Sequence, residues 1–460
     1  MFYPKLTEQR QQTLTTEAFL GYDHDLKLSD GEFYDMENLT SDCYPLLAPR
    51  VRRGTVQALS GVQAICARDR LCWVQNQVLH INGASMEAYM PSVSISAGEK
   101  QLVSMGAYLC IFPDGIYFNT EDYSDNGYMG HENTVDAAET PISVSLCLAD
   151  GQALTLSFSQ AAQPESPSNG QYWLDTSGSL HTIKQWAEAS GQWVSVPTVY
   201  VKLAANGIGK GFKQYDGIEI SGLSGNEQLK KLNGSQIIYG ADESSIVIVG
   251  LIDQAAEVTS GTVKTARRVP DMDFITECGN RLWGCRAGTD RQGDPVNEIY
   301  ASKLGDFRNW NCFMGLTTDS YAVTVGTQGP FTGAITYLGN PLFFKEDCLY
   351  KIYGSYPAAF HVQSTVCRGV ARGSGGSLAI VGETLFYKSP MGVCAYDGAL
   401  PAEVGRALGT EPLEGGIGAG WAGKYFLSLR ESTGTDALYV YDKLLGQWHR
   451  ETGFEARQMV

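Results

Sequence analysis

No stretch of this 460-residue chain is apolar for long enough to cross a bilayer as a helix. The longest apolar run, IVIVGLI at 246–252, falls far short of the roughly 20 residues such a span needs. Residues 1–12 carry Lys5 and Arg10 but no apolar core, so no secretory signal is expected there and synthesis in a cytoplasm is. Charged residues are scarce at 18%, and basic ones scarcer: 34 Lys and Arg stand against 50 Asp and Glu, a formal charge of −16. Phosphate binding needs a basic face, so this balance excludes a protein that grips nucleic acid over its whole surface. The 11 cysteines include no CxxC pair, the closest spacings being Cys66/Cys72 and Cys278/Cys285. Most have apolar neighbours, as in Leu71-Cys72-Trp73 and Leu109-Cys110-Ile111. They are expected as small buried hydrophobes in a reducing compartment, not as a disulfide framework.

Signatures of catalysis are missing as well. There is no HExxH, GxSxG, Walker A or zinc-ligand spacing, and His24, His80, His131, His181, His361 and His449 are scattered. Gly207-Ile-Gly-Lys-Gly211 lacks GxGxxG spacing and reads as a turn. Asp23/Asp25 and Asp271/Asp273 read as solvated turn carboxylates, since calcium needs further oxygen ligands. No catalytic residue, metal ligand or cofactor is expected, and the chain is not read as an enzyme. Paired carboxylates for glycoside hydrolysis have no distinguishing spacing among 50 acids. Three or more acids converging with a tyrosine in a central pocket would be the mark of that chemistry.

What the chain does have is glycine, 52 residues, and aromatics: 24 Tyr, 17 Phe and 8 Trp. That balance suits many short strands and tight turns. A unit of alternating strand, turn and second strand recurs. Compare Ile65-Cys-Ala-Arg-Asp-Arg-Leu-Cys-Trp73 with Val103-Ser-Met-Gly-Ala-Tyr-Leu-Cys-Ile111 and Ile275-Thr-Glu-Cys-Gly-Asn-Arg-Leu-Trp283. Taking Arg68, Gly106, Gly279, Gly339, Gly382 and Gly423 as turn markers, the steps are 38, 173, 60, 43 and 41 residues. A period near 40 with about four strands per unit predicts an all-β chain, a β-propeller of about six blades. A β-sandwich is the alternative.

The long step predicts an inserted β-rich domain over 141–262, between first blades in 1–140 and the remaining blades in 263–460. Within the insert, 143–148 is expected to form a hairpin with 154–158 across Asp150-Gly151, and a linker then follows at 160–169. A tryptophan-rich module spans 164–196. Tyr172, Trp173, Trp186 and Trp193 are candidates for an aromatic platform that stacks on a glycan or a partner, or for the module's own core. Exposure decides, because a sugar platform needs coplanar solvent-facing rings. Arg50, Arg52 and Arg53, with Arg267 and Arg268, are candidates for contact with phosphates or an acidic neighbouring subunit, or for pairing within the chain. At Leu304-Gly-Asp-Phe-Arg-Asn-Trp-Asn311 the sequence predicts an anchored turn, its carboxylate accepting backbone N–H groups while two rings bury.

Gly279-Asn-Arg-Leu-Trp283, Tyr300-Ala-Ser302 and Gly305-Asp-Phe-Arg-Asn-Trp310 resemble a passage of the tail tubular or nozzle proteins of short-tailed phages. The opening is similar too: Phe19-Leu-Gly21, Asp30-Gly-Glu-Phe-Tyr-Asp-Met-Glu-Asn38 and Tyr44-Pro-Leu-Leu-Ala-Pro-Arg50. The 172–193 segment resembles a small module of phage tail and fibre proteins. Together these short pieces cover about half the chain, and their order carries the resemblance. It implies a virion structural protein, a propeller forming a ring of about six copies around a channel through which duplex DNA passes as cargo. Partners would be other tail or adaptor proteins, the location the phage tail, with no membrane partner. The strands end at Val460 sooner than that pattern leads one to expect, so either the N-terminal segment closes the ring or the chain is short relative to its relatives, and the blade count stays open. A glycan- or receptor-binding tail propeller is the alternative function, and a propeller hydrolase the third.

Overall fold

A computed structural model describes residues 13, 15–290 and 293–460. Residues 1–12, with Lys5 and Arg10, lie outside the described residues, so the targeting reading meets no structure there. Strand accounts for 44% of the chain and helix for 4%, so the fold is all-β, divided among many small sheets. By packing, the chain separates into one unit of residues 1–69, 329–351 and 362–460 and a second of 70–328 and 352–361.

In the first unit, sheets of consecutive strands recur. One is ordered Gly333–Tyr337, Asn340–Phe344, Cys348–Tyr353, His361–Val366, and another Ala379–Val381, Thr384–Ser389, Gly392–Tyr396, Ala402–Glu403. A third runs Glu414–Trp421, Lys424–Arg430, Asp436–Asp442, Gln447–Glu451. Pairs such as Tyr337↔Asn340 and Trp421↔Lys424 leave two residues for the turn. Those residues, Leu338-Gly339 and Ala422-Gly423, all have positive φ, the requirement of the tight turn whose twist matches its strands. Gly339 and Gly423 supply that conformation without steric cost.

The third sheet is extended by the other end of the chain. Gly21–Tyr22 pairs antiparallel with Gln447–Glu451 through Tyr22↔Trp448, and Glu32–Phe33 pairs parallel beyond it. Tyr22 and Met36 enter the core of Tyr425, Leu427, Tyr439 and Trp448. Charges fasten the segment: Arg450 lies 2.6 Å from Glu37 and 2.8 Å from Glu431, and Glu451 accepts from Arg53 at 2.7 Å.

The second unit contains two further four-strand meanders. Gln101–Met105, Tyr108–Phe112, Ile116–Asn119 and Asn126–Tyr128 form one; Phe274–Glu277, Leu282–Thr289, Pro295–Ala301 and Tyr321–Thr324 form the other. Leu71–Gln75, Val78–Ile81 and Ala84–Ser85 pair in succession as well. Between the meanders, three sheets use only strands from 131 to 267. The range 141–262 is flanked by a strand on each side, His131–Asp136 and Thr262–Arg267, and these two pair with each other. One core of Val144, Leu174, Ile183, Val201, Leu203, Ile220, Ile246 and Ile248 serves all three sheets.

The hairpin expected between 143–148 and 154–158 forms only at its tip: Cys147 bridges Ala153, the Leu148 N–H donates to the Gln152 carbonyl at 2.8 Å and the Leu154 N–H to the Leu146 carbonyl at 3.1 Å. Beyond the tip Ile142–Cys147 is flanked by Tyr200–Ala204 and Ala256–Val258. Both edges of that strand are therefore taken by distant partners that bury Val201, Leu203 and Val258. Leu156–Gln160 leaves to pair in parallel with Tyr172–Asp175, so the segment read as a linker begins inside a strand and loops between two neighbours of one sheet. Eight cysteines are buried, while Cys66 and Cys367 are half-buried and Cys43 is exposed.

Candidate functional site

The tryptophan-rich sheet orders Leu156–Gln160, Tyr172–Asp175, Thr182–Ala187 and Gln192–Ser195. Trp186 and Trp193 are directly cross-strand. Their rings meet at 63°, and Trp173 meets Trp193 at 65°, with centroids 5.5 and 5.4 Å apart. Phe158 stands edge-on to Trp193 at 89°. This is edge-to-face packing, which satisfies the ring quadrupoles against one another. Trp173 is buried and donates its indole N–H to the Gln160 carbonyl at 2.9 Å, with the Lys184 ammonium 4.9 Å from its ring centre. Lys184 also bonds Asp175 at 2.8 Å and holds that carboxyl down to about 2. Tyr172 packs against the core of the insert. The three tryptophans come together with Phe158, as mutually tilted packing rather than a coplanar face, while Tyr172 is given to the insert's core.

The arginine candidates are engaged within the chain, apart from Arg52, which is exposed. Arg50 and Arg53 converge on Glu451, at 3.3 and 2.7 Å. Arg53 also lies over the rings of Phe426 and Phe454, 5.5 Å from each centroid. Arg267 ends its strand and Arg268 begins the connection after it, and the two separate: Arg268 stays exposed, 2.9 Å from Glu132, while Arg267 is buried.

Arg267 belongs to the most developed polar constellation in the second unit. Its guanidinium donates to Asp216 at 2.8 Å and to the Met129 carbonyl at 3.0 Å. The other Asp216 oxygen accepts from the Asn309 side-chain amide at 3.0 Å, and Asn309 Oδ1 accepts the Gly217 N–H at 3.0 Å. Asn309 is part of the Gly305-Asp-Phe-Arg-Asn-Trp310 turn. There Asp306 accepts the Arg308 N–H at 3.0 Å and the Asn309 amide at 2.6 Å, while Phe307 and Trp310 bury. Arg281 of the Asn-Arg-Leu stretch is buried beside it and donates to the carbonyls of Ser302 and Thr317, at 2.7 and 3.0 Å. Gly217 has no room for a side chain, since a Cβ would lie 2.6 Å from the Asn311 Oδ1. The turn therefore docks the inserted sheets onto the adjoining meander. Removing either member of a buried ion pair strands the other charge, which is why such a joint holds one geometry. Sequence reading picked out the turn and Arg267 but missed Asp216, which lies in an unremarkable Tyr-Asp-Gly stretch.

Two clefts flank the connection Arg268-Val269-Pro270-Asp271, of about 300 and 360 Å3. The larger brings together Glu219, Asp271, Asp290 and Tyr300, but with Arg268 and Arg286 among them. Arg286 bonds Asp273 at 2.6 Å, and burial together with Glu298 pushes the Tyr300 phenol far above its ordinary range. Comparison with known protein families and with curated proteins finds no match to this chain.

Proposed function

We propose that the protein is a structural component of a bacteriophage virion, a tail nozzle or tail-hub subunit built on a β-propeller, copies of which form a ring around the DNA exit channel. The observation that carries the reading is the pairing of Gly21–Tyr22 with Gln447–Glu451 in the last sheet. A propeller needs its two chain ends in one blade to close, and a short N-terminal strand beside the final meander supplies that. Strands at Val62–Ala67, Leu71–Gln75, Val78–Ile81 and Ala84–Ser85 form one further four-stranded sheet of consecutive strands, which this reading takes as a sixth blade beside the five meanders above. The docked insert supports it too: a buried Asp216–Arg267–Asn309 joint suits a part that transmits load rather than one that moves. An acidic chain of charge −16 fits a wall along which DNA slides without being held.

Immunogold labelling of particles purified from a producing lysate tests this. Label at the tail end of each particle is expected. Particles that carry no label while the protein is abundant in the lysate overturn the reading.

A further inference from the structure

A separate cleft of about 280 Å3 lies where the tryptophan-bearing sheet meets the helix Glu227–Lys230 and the end of the strand Ser245–Val249. Sites for drug-sized ligands run roughly 300–1,000 Å3, so an occupant here is small or is one residue of something larger. Its walls are aliphatic: Leu180, Leu232, Val249 and Leu251. Leu180 is 80% exposed and Val249 40%, an apolar mouth left open to water. At Gly250 a Cβ would come within 2.5 Å of the Leu232 Cδ2, so a residue without a side chain is what lets Leu232 lie down on that wall.

Of the polar residues that line it, Ser179, His181, Gln228 and Lys231, two offer groups to a ligand. His181 has its Nδ1 2.8 Å from Asp253 Oδ1. A carboxylate only accepts, so Nδ1 donates to it, and in the tautomer with that single ring proton Nε2 is a lone-pair acceptor. Asp253 is in turn positioned by Gln228, whose Oε1 accepts the Asp253 N–H at 3.0 Å. The second group is Lys231, exposed at the cleft, whose ammonium has no hydrogen bond or ion pair among the described residues. The cleft thus presents a cation, a hydrogen-bond acceptor on an oriented ring, and branched aliphatic walls.

One chemical unit answers all three: an acylated aliphatic amino acid, with its carboxylate for Lys231, its amide N–H for His181 Nε2 and a leucine-like side chain for the walls. We infer that this cleft binds the C-terminal carboxylate residue of a peptide, or the equivalent small N-acyl amino acid. The inference stands independently of the virion reading, since it uses no ring, tail or DNA.

Calorimetric titration of the full chain tests it, with N-acetyl-leucine and acetyl-Ala-Ala-Leu as free acids and with their C-terminal amides. Saturable one-to-one binding of a free acid is expected, at least tenfold weaker for its amide and at least tenfold weaker in Lys231→Ala and in His181→Ala. Lys231 is exposed, so that variant keeps its fold whatever happens at His181, and an unchanged melting temperature verifies it. Equal affinity of the two acids identifies the small molecule as occupant, and tighter binding of the tripeptide identifies a chain terminus. No saturable binding of either acid, equal affinity for the amide, or full affinity in either variant overturns the inference.

Discussion

His449 has both ring nitrogens buried without a hydrogen-bond partner among the described residues and only 1% of its surface exposed. Burial, reinforced by the Lys424 ammonium, lowers its pKa from 6.5 to about 4. The unfolded chain thus takes up a proton between these values that the folded chain refuses. Stability from this residue is full above pH 6.5, declines as the pH falls towards 4 and levels off below, a loss of roughly 3 kcal/mol. Urea unfolding at pH 7.5, 5.5 and 4.5 measures it. His449→Leu, which also removes two orphaned polar atoms, is expected to lose that part of the pH slope; a variant as pH-dependent as the parent contradicts the assignment. Residues of this kind were the least legible in the sequence. Arg50, Arg53, Arg267 and Arg268 stood out as a run and a pair, yet what they do is decided by Glu451, Glu132 and Asp216, far off in the chain. The tryptophans were visible as a cluster, but only the 63° and 65° ring angles separate a core from a platform.

Among the elements, the legible ones are those whose partner lies next in sequence. The turns at Gly339 and Gly423 announce their hairpins because local backbone chemistry alone closes them. The segment at 143–158 has the same local pattern and a compatible Asp-Gly turn, but its strands go to different sheets. Long-range partners with larger apolar faces outcompete the neighbour, and local alternation carries no record of that competition. The N-terminal strand is another long-range element, resting on a two-residue ladder, a few ion pairs and Gly21 at φ +89°. A Cβ on Gly21 would sit 2.5 Å from the Trp448 carbonyl oxygen. Gly21→Ala is therefore expected to destabilise the chain by more than about 1 kcal/mol through steric conflict and positive φ together. Trypsin should then cut first around Arg50–Arg53, where the parent resists. Equal protection of parent and variant would show that the ion pairs and the buried Tyr22 and Met36 hold the segment without Gly21.

For the whole molecule the governing quantity is its charge of −16. Duplex binding by counterion release needs unpaired cations arranged on one face, and affinity then falls steeply with added salt. The arginines that looked available for phosphates are mostly committed to carboxylates: Arg50 and Arg53 to Glu451, Arg267 to Asp216, Arg268 to Glu132. Contact with DNA would require breaking those pairs, and at Arg267 the pair is buried. Under the nozzle reading this is an advantage, since a wall that bound phosphate tightly would stall a genome moving past it. The chain is accordingly expected to retard no duplex DNA in a gel-shift titration even at 50 mM salt, a condition that exaggerates any electrostatic attraction. Reversing the sign of one patch tests the same point from the other side. Replacing Glu132 and Glu219 by Lys removes both acidic partners of Arg268 and the partner of Lys264, and leaves four cations together. That variant is expected to show weak, salt-sensitive retardation that the parent lacks. Retardation by the parent itself, abolished between 50 and 200 mM salt, would mean that the chain holds DNA and would sink the sliding-wall account of its acidity.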